Sequence, residues 1–158
     1  MAIPEFLREL RASIGQRLVF LPGVSAVVLD DRQRVLLVRR SDNGQWTIVG
    51  GIPEPGEQPA QAVVREVYEE TAVRAVPERV ISVYAEEPTV YPHGDQVQFM
   101  TITFRCRAVG GEARVNDDES IDVGWFALDE LPPLGDGCLG RIRLALADEP
   151  TWFEGAVG

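Results

Sequence analysis

From Ile3 to Ile14 apolar side chains recur at helical spacing, at Phe6, Leu7, Leu10 and Ile14, with Glu5, Arg8, Glu9 and Arg11 between them. An amphipathic helix is expected over about 3–14. Gly15 and then Pro22-Gly23 interrupt that period, and two strand-like runs follow, Val24–Leu29 and Val35–Arg39, joined by Asp30–Arg34 as a short turn. Together they predict a hairpin. Gly50–Gly56 is rich in Gly and Pro, whereas Gln58–Thr71 is dominated by Ala, Val, Arg and Glu, with Pro59 placed where a helix tolerates it best. Further strands are expected at Arg79–Tyr84, Gln96–Arg107 and Val123–Leu128, and a short final helix at Arg141–Ala147. No internal repeat, linker or low-complexity tract divides the 158 residues. The pattern reads as a single mixed α/β (α+β) domain over residues 1–158, with helices packed on a sheet.

Composition narrows the chemistry. A formal net charge of −10 disfavours long polyanions, because nucleic-acid affinity comes largely from Lys and Arg neutralising phosphates. A small anionic substrate stays compatible if a bound divalent cation supplies local positive charge. No apolar run approaches the roughly 20 residues that cross a bilayer. The start, Met1-Ala2-Ile3-Pro4-Glu5, lacks a basic segment followed by an apolar core, so no membrane partner and a cytoplasmic location are expected. Cys106 and Cys138 are too few and too far apart for a disulfide framework or a CxxC site and are read as buried or incidental thiols.

On a helix Glu66, Glu69 and Glu70 fall within roughly a 100° arc. Three carboxylates on one face repel, and a hard cation with oxygen ligands, Mg²⁺ or Mn²⁺, would relieve that repulsion. The same pattern also suits a solvated acidic face. The surroundings decide between the two. The run from Gly51-Ile52-Pro53-Glu54-Pro55-Gly56-Glu57 through Arg65-Glu66-Val67-Tyr68-Glu69-Glu70-Thr71-Ala72-Val73 resembles the Nudix box. Gly51, Glu57, Arg65, Glu66, Val67, Glu69, Glu70 and Val73 match its fixed positions, and Ala72 stands where the family usually has glycine. Glycine there would suit a left-handed cap that alanine enters only at a steric cost. Val49 is a second departure, at a position where many members have proline.

The resemblance implies the Nudix fold, a mixed β-sheet between helices, and hydrolysis of a phosphoanhydride in a small nucleoside diphosphate-linked substrate. It implies Glu66, Glu69 and Glu70 as metal ligands, with the Gly51 carbonyl as a further one, and Glu57 with Arg65 as a supporting pair. Many Nudix proteins place another acidic residue in the loop corresponding to Asn116–Ser120. Glu119 is preferred as base or extra ligand, with Asp117 and Asp118 as rivals, so that Glu66, Glu69 and Glu119 form the expected catalytic set. ADP-ribose-like compounds, nucleoside triphosphates and dinucleoside polyphosphates are the implied substrate classes, the first favoured. A nucleotide-sensing module without turnover is the alternative, and such modules typically lose box glutamates.

Outside the box the signals are weaker. Arg39 and Arg40 end a strand and are candidates for substrate phosphates, and Trp46, Tyr84, Tyr91 and Phe99 for stacking a base, although strand aromatics more often belong to the core. Of these, Arg39 and Trp46 are taken forward as substrate contacts. His93 lies in a turn-like loop and is not expected to be catalytic. The apolar stripe of the first helix needs cover, from the chain's own sheet or from a second copy in a homodimer.

Overall fold

The computed structural model describes residues 3–155. In chain order it contains α1 (Glu5–Ile14), β1 (Val19–Leu29), β2 (Val35–Arg40), β3 (Trp46–Thr47), β4 (Val49–Gly51) and α2 (Pro59–Thr71). Then follow β5 (Arg74–Ala85), β6 (Thr89–Val90), β7 (Gln96–Gly110), β8 (Ser120–Phe126) and α3 (Asp136–Leu146). All eight strands join one mixed sheet with the central order β3-β2-β1-β7-β5. None of the helices among the described residues is long and apolar enough to cross a membrane.

β1 is the spine. Val24 to Leu29 are all buried, as expected of a strand covered on both faces. It pairs in parallel with β7 from Val19↔Val97 to Leu29↔Arg107, and β7 pairs antiparallel with β5. The expected hairpin exists only at its tip. Asp30 Oδ1 accepts the N–H groups of Arg32 and Arg34, and Leu29 pairs Val35, but β2 then takes β8 as its antiparallel partner. On its other side β1 receives β4, with Val24 opposite Gly51 and Ala26 opposite Val49.

Alternation along β1 sorts the core into two layers. Even-numbered Val24, Ala26 and Val28 pack with Ala62, Val63 and Val67 of α2. Odd-numbered residues face the other side, where Val27 and Leu29 meet Ile142 and Ala145 of α3, and Leu21 meets Leu7 of α1. The sheet is therefore sandwiched between helices. Leu7 is buried, and Phe6 packs against the same cluster with Ile52 and Val97, so the chain itself covers much of the α1 stripe.

The boundaries that differ from expectation have local causes. Strand β5 begins at Arg74, five residues earlier than its apolar core suggests, because β7 continues to Gly110 and supplies a partner. Pairing with β2 likewise starts β8 at Ser120. Gly137 and Gly140 hide the first turns of α3 from a propensity reading, yet the helix runs from Asp136.

Candidate active site

The box folds as a strand end, a loop and a helix. Gln58 caps α2, its backbone N–H donating to Gln61 Oε1 at 2.9 Å, and Pro59 takes the first position. At the other end Ala72 adopts φ 58° and ψ 9°, the left-handed cap that its glycine-like position predicts. Gly51 is required for a different reason. A Cβ there would overlap the Glu66 carboxyl group, so the Glu66 side chain can lie against β4 as it does only because position 51 has none.

Arg65 organises the loop. Its Nε and Nη2 donate to the two oxygens of Glu57 at 2.9 Å each, a bidentate fork, and Nη1 donates to Glu66 at 2.9 Å and Glu69 at 3.1 Å. Nη2 also reaches the Ile52 carbonyl at 3.3 Å. Arg65 beside it holds the Glu57 carboxyl below its ordinary range, and Glu57 chiefly raises the arginine in turn. The supporting pair is thus a built latch between loop and helix.

The three glutamates are not equivalent. Glu66 and Glu70 are both 7% exposed, whereas Glu69 lies open at the surface with Arg65. Burial pushes the Glu66 carboxyl up against the pull of Arg65. Glu70 has no such guanidinium on its oxygens, and burial, then the charges of Glu66 and Asp117, raise it to about 8. Among the described residues no three His, Cys, Asp or Glu side chains already stand together as a ready metal-binding group. The donor chemistry nevertheless fits a hard cation: two buried, mutually repelling carboxylates beside a strand end without a side chain.

Loop 116–119 docks on the end of α2. Asn116 Nδ2 donates to the Tyr68 carbonyl at 3.0 Å, and the Glu119 carbonyl accepts Ser41 N–H at 2.8 Å. Asp117 Oδ1 accepts the N–H groups of Glu119 and Ser120, both at 3.2 Å. All three acidic residues of this loop line a cleft of about 470 Å³ together with Glu66 and Glu69. Asp118 and Glu119 also line a larger cleft of about 750 Å³, which Glu70, Gly50 and Gly51 enter from the other side.

The larger cleft exists because the helices leave a gap. α3 covers the Val27–Leu29 end of β1 and α1 the Leu21 end, and between them the floor is Gly23, Ser25 and Thr101. Ser25 and Thr103 satisfy each other at 2.8 Å beneath it. A Cβ on Gly23 would press on Thr101 Oγ1 at 3.0 Å, so glycine keeps that floor low.

Two of the expected substrate contacts are placed elsewhere. Trp46 packs edge-on against Phe126 at 4.9 Å in the α3 cluster and lines neither cleft, because its strand neighbours turn it into the core. Arg39 donates to the Gly44 carbonyl at 2.9 Å and also lines neither. Its neighbour Arg40, just past an irregularity in the pairing of β2 with β8, borders the larger cleft and pairs with Asp42. Tyr91 and Phe99 line that cleft as well. His93 stacks on Tyr91 at 5.6 Å and contacts Asp95 at 3.1 Å, remaining largely exposed. Glu86 and Arg141 border the same space and carried no sequence signal, since 55 residues separate them. Both cysteines are free thiols, raised by burial.

Comparison with known proteins agrees with this geometry. The NUDIX domain model matches residues 19–144. A MutT-like protein of Streptomyces ambofaciens is 35% identical over 109 residues, 69% of this chain and 65% of that protein. A putative 8-oxo-dGTP diphosphatase of Bacillus subtilis is 32% identical over 72% of this chain and 71% of its own length. An NAD-capped RNA hydrolase, NudC, of Pseudomonas putida is 34% identical over 72% of this chain but only 39% of its own length. The chain thus spans about two fifths of the NudC relative and just under two thirds of the MutT-like one. Among solved structures, an ADP-ribose pyrophosphatase from Streptococcus suis superposes with a TM-score of 0.60 at 27% identity, covering 79% of this chain and 90% of that one.

Proposed function

The chain belongs to the Nudix hydrolase family, and from that premise we propose that it hydrolyses a phosphoanhydride bond in a small nucleoside diphosphate-linked substrate, an ADP-ribose-like compound or a nucleoside triphosphate. The observation that carries the reading is two buried carboxylates, Glu66 against Gly51 and Glu70 at the wall of a cleft large enough for a nucleotide. In this reading the carboxylates of Glu66 and Glu70, with Glu69 and the Gly51 carbonyl, hold Mg²⁺ or Mn²⁺. Such a cation lowers the pKa of water and neutralises charge on the leaving phosphate. Glu57 and Arg65 keep the loop closed on the helix. Glu119, which borders both clefts, takes the proton of the attacking water. Arg40 faces the substrate phosphates in place of Arg39.

The test is Mg²⁺-dependent release of nucleoside monophosphate or phosphate from ADP-ribose, deoxynucleoside triphosphates, 8-oxo-dGTP, diadenosine polyphosphates and NAD-capped RNA. A small nucleotide should be turned over fastest, since a long RNA must lie along a chain of net charge −10. Glu66→Gln and Glu70→Gln should each lower the rate by roughly a hundredfold or more. Wild-type rates for either variant at saturating Mg²⁺ would remove the assignment, and RNA as the best substrate by about tenfold would remove the charge argument. For assembly we propose a homodimer through the edge of α1 left open at Leu10, and light scattering of wild type against Leu10→Glu checks it.

A further inference from the structure

The end of the larger cleft bordered by α3 carries an ion pair whose hydrogen-bonding capacity is mostly unused. Glu86 follows β5 and is fixed through its backbone: its N–H donates to the Phe99 carbonyl at 2.8 Å and its carbonyl accepts Gln98 Nε2 at 3.0 Å. Arg141 reaches the same point from α3, whose last turn is pinned by Arg79 and Arg105 donating to the carbonyls of Leu144 and Ala145. Thr101 Oγ1 donates to Glu86 Oε1 at 2.7 Å, and Arg141 Nη2 donates to the same oxygen at 3.3 Å. Among the described residues Glu86 Oε2 accepts no hydrogen bond, and Arg141 Nε and Nη1 donate none.

This arrangement is unusual for a structural ion pair. The Arg141 guanidinium lies over the Tyr84 ring, 5.0 Å from its centre, and Trp152 braces that ring at 6.2 Å. Burial lowers the arginine's pKa, as expected of a cation removed from water with too few acceptors around it. Three separate elements thus hold an open set of donors and an open acceptor at one wall of a cleft that Tyr91 and Phe99 also line.

A phosphate would satisfy the arginine but meet the carboxylate as a like charge, and it brings no donor for Glu86. A flat ring with an acceptor and a donor on one edge satisfies both and can lie against the aromatic walls. We propose that Glu86 and Arg141 read the edge of a nucleobase that carries adjacent carbonyl and ring N–H groups, the lactam edge of guanine, hypoxanthine or uracil. The guanidinium takes the carbonyl and the carboxylate takes the N–H. Adenine in the same pose sets its amino group against the guanidinium and a bare ring nitrogen against the carboxylate, so donor faces donor and acceptor faces acceptor. The hydrolase reading enters only by placing the phosphates at the Glu70 end of the cleft, and among the substrates of that reading this pairing favours a nucleotide with a lactam base over an adenine compound such as ADP-ribose.

The experiment is isothermal titration of the full chain, without metal, with guanosine, uridine, adenosine and 1-methylguanosine. Guanosine should bind at least about tenfold more tightly than adenosine or 1-methylguanosine, the size of one good base-edge contact. Glu86→Gln should lose about tenfold for guanosine without weakening adenosine, whose bare ring nitrogen the amide can meet with a donor. If Glu86→Gln does not fold, Arg141→Lys gives the same comparison, because it keeps the charge and loses the planar donor array. Equal binding of guanosine and adenosine, or an equal loss for both in the variant, would place recognition on the sugar hydroxyls and overturn the proposal. Absence of saturable binding by any nucleoside would also overturn it. Because these titrations need neither metal nor turnover, lactam-selective binding by a chain that hydrolyses no nucleotide would refute the hydrolase reading and leave this one standing.

Discussion

Glu70→Gln should make the metal-free protein more stable while removing the activity. The Glu70 carboxyl ordinarily ionises near 4.5, and in the folded chain burial, with the charges of Glu66 and Asp117, raises it to about 8. Between these values the folded chain keeps a proton that the unfolded chain has released. The folded state therefore binds more protons, and stability falls as pH rises through that interval. Below about pH 4 both states are protonated and no difference arises. At pH 7 the accumulated penalty is roughly 2.5 pH units at about 1.4 kcal/mol each, of order 3 kcal/mol. Glutamine has the shape of the protonated acid and does not titrate, so the variant escapes the penalty. Without metal, and with EDTA present, its Tm at pH 7 should rise by roughly 6–12 °C over wild type, and the two should converge near pH 4. Adding Mg²⁺ should stabilise wild type by mass action and the variant much less. Scanning calorimetry or urea unfolding across pH 4–8 is the measurement. Parallel pH profiles for the two proteins, or a variant less stable than wild type at pH 8 without metal, would refute the reasoning.

Gly51→Ala should abolish turnover and Mg²⁺-dependent stabilisation together, because the added methyl occupies space held by the Glu66 carboxyl group; a fully active variant would show that Glu66 can move freely. Arg65→Met leaves Glu57 without its bidentate partner and should destabilise the fold by about 2 kcal/mol, a figure reduced for partial exposure, as read by urea midpoint. Ala72→Gly should change stability by no more than about 1 kcal/mol, since relief of the left-handed backbone is offset by a lost buried methyl and a freer unfolded chain. Ala72→Val should lose about 2 kcal/mol or more, because a β-branched side chain is forced into that conformation at a site only 4% exposed.

Much of this site was legible because it is local. The spacing from Gly51 to Val73 is set by one turn of loop and thirteen residues of helix, and each matched position has a nearby job in the structure. Glu57 and Arg65 meet across eight residues, Gly51 and Glu66 across fifteen. Even the exception was readable, since the position of Ala72 announces a left-handed cap whatever residue fills it. The inequality of the three glutamates was not readable. Helical geometry puts them on one face, but only the packing of loop 116–119 and the reach of Arg65 decide that Glu70 is buried without a guanidinium on its oxygens while Glu69 stays at the surface.

The larger cleft is the opposite case, because it is made by absences between elements far apart in the chain. Its floor requires the register that sets Gly23 beside Thr101 and Ser25 beside Thr103, a parallel pairing across 78 residues that no local pattern encodes. Its ends are wherever α1 and α3 stop covering β1, and glycines at 137 and 140 disguise half of α3. A substrate arginine therefore cannot be chosen from its place at a strand end alone. Arg39 and Arg40 are adjacent, yet the strand register shifts between them, and only Arg40 borders the cleft. Trp46, paired with Arg39, packs against Phe126. Residues that hold a metal can be spaced along one helix, whereas residues that distinguish one nucleotide from another come from whichever strand, loop and helix meet around it. In the proposal above those are Glu86 and Arg141, with Thr101 holding one Glu86 oxygen; the family can be read from 23 consecutive positions, whereas the proposed base contacts come from residues 55 positions apart.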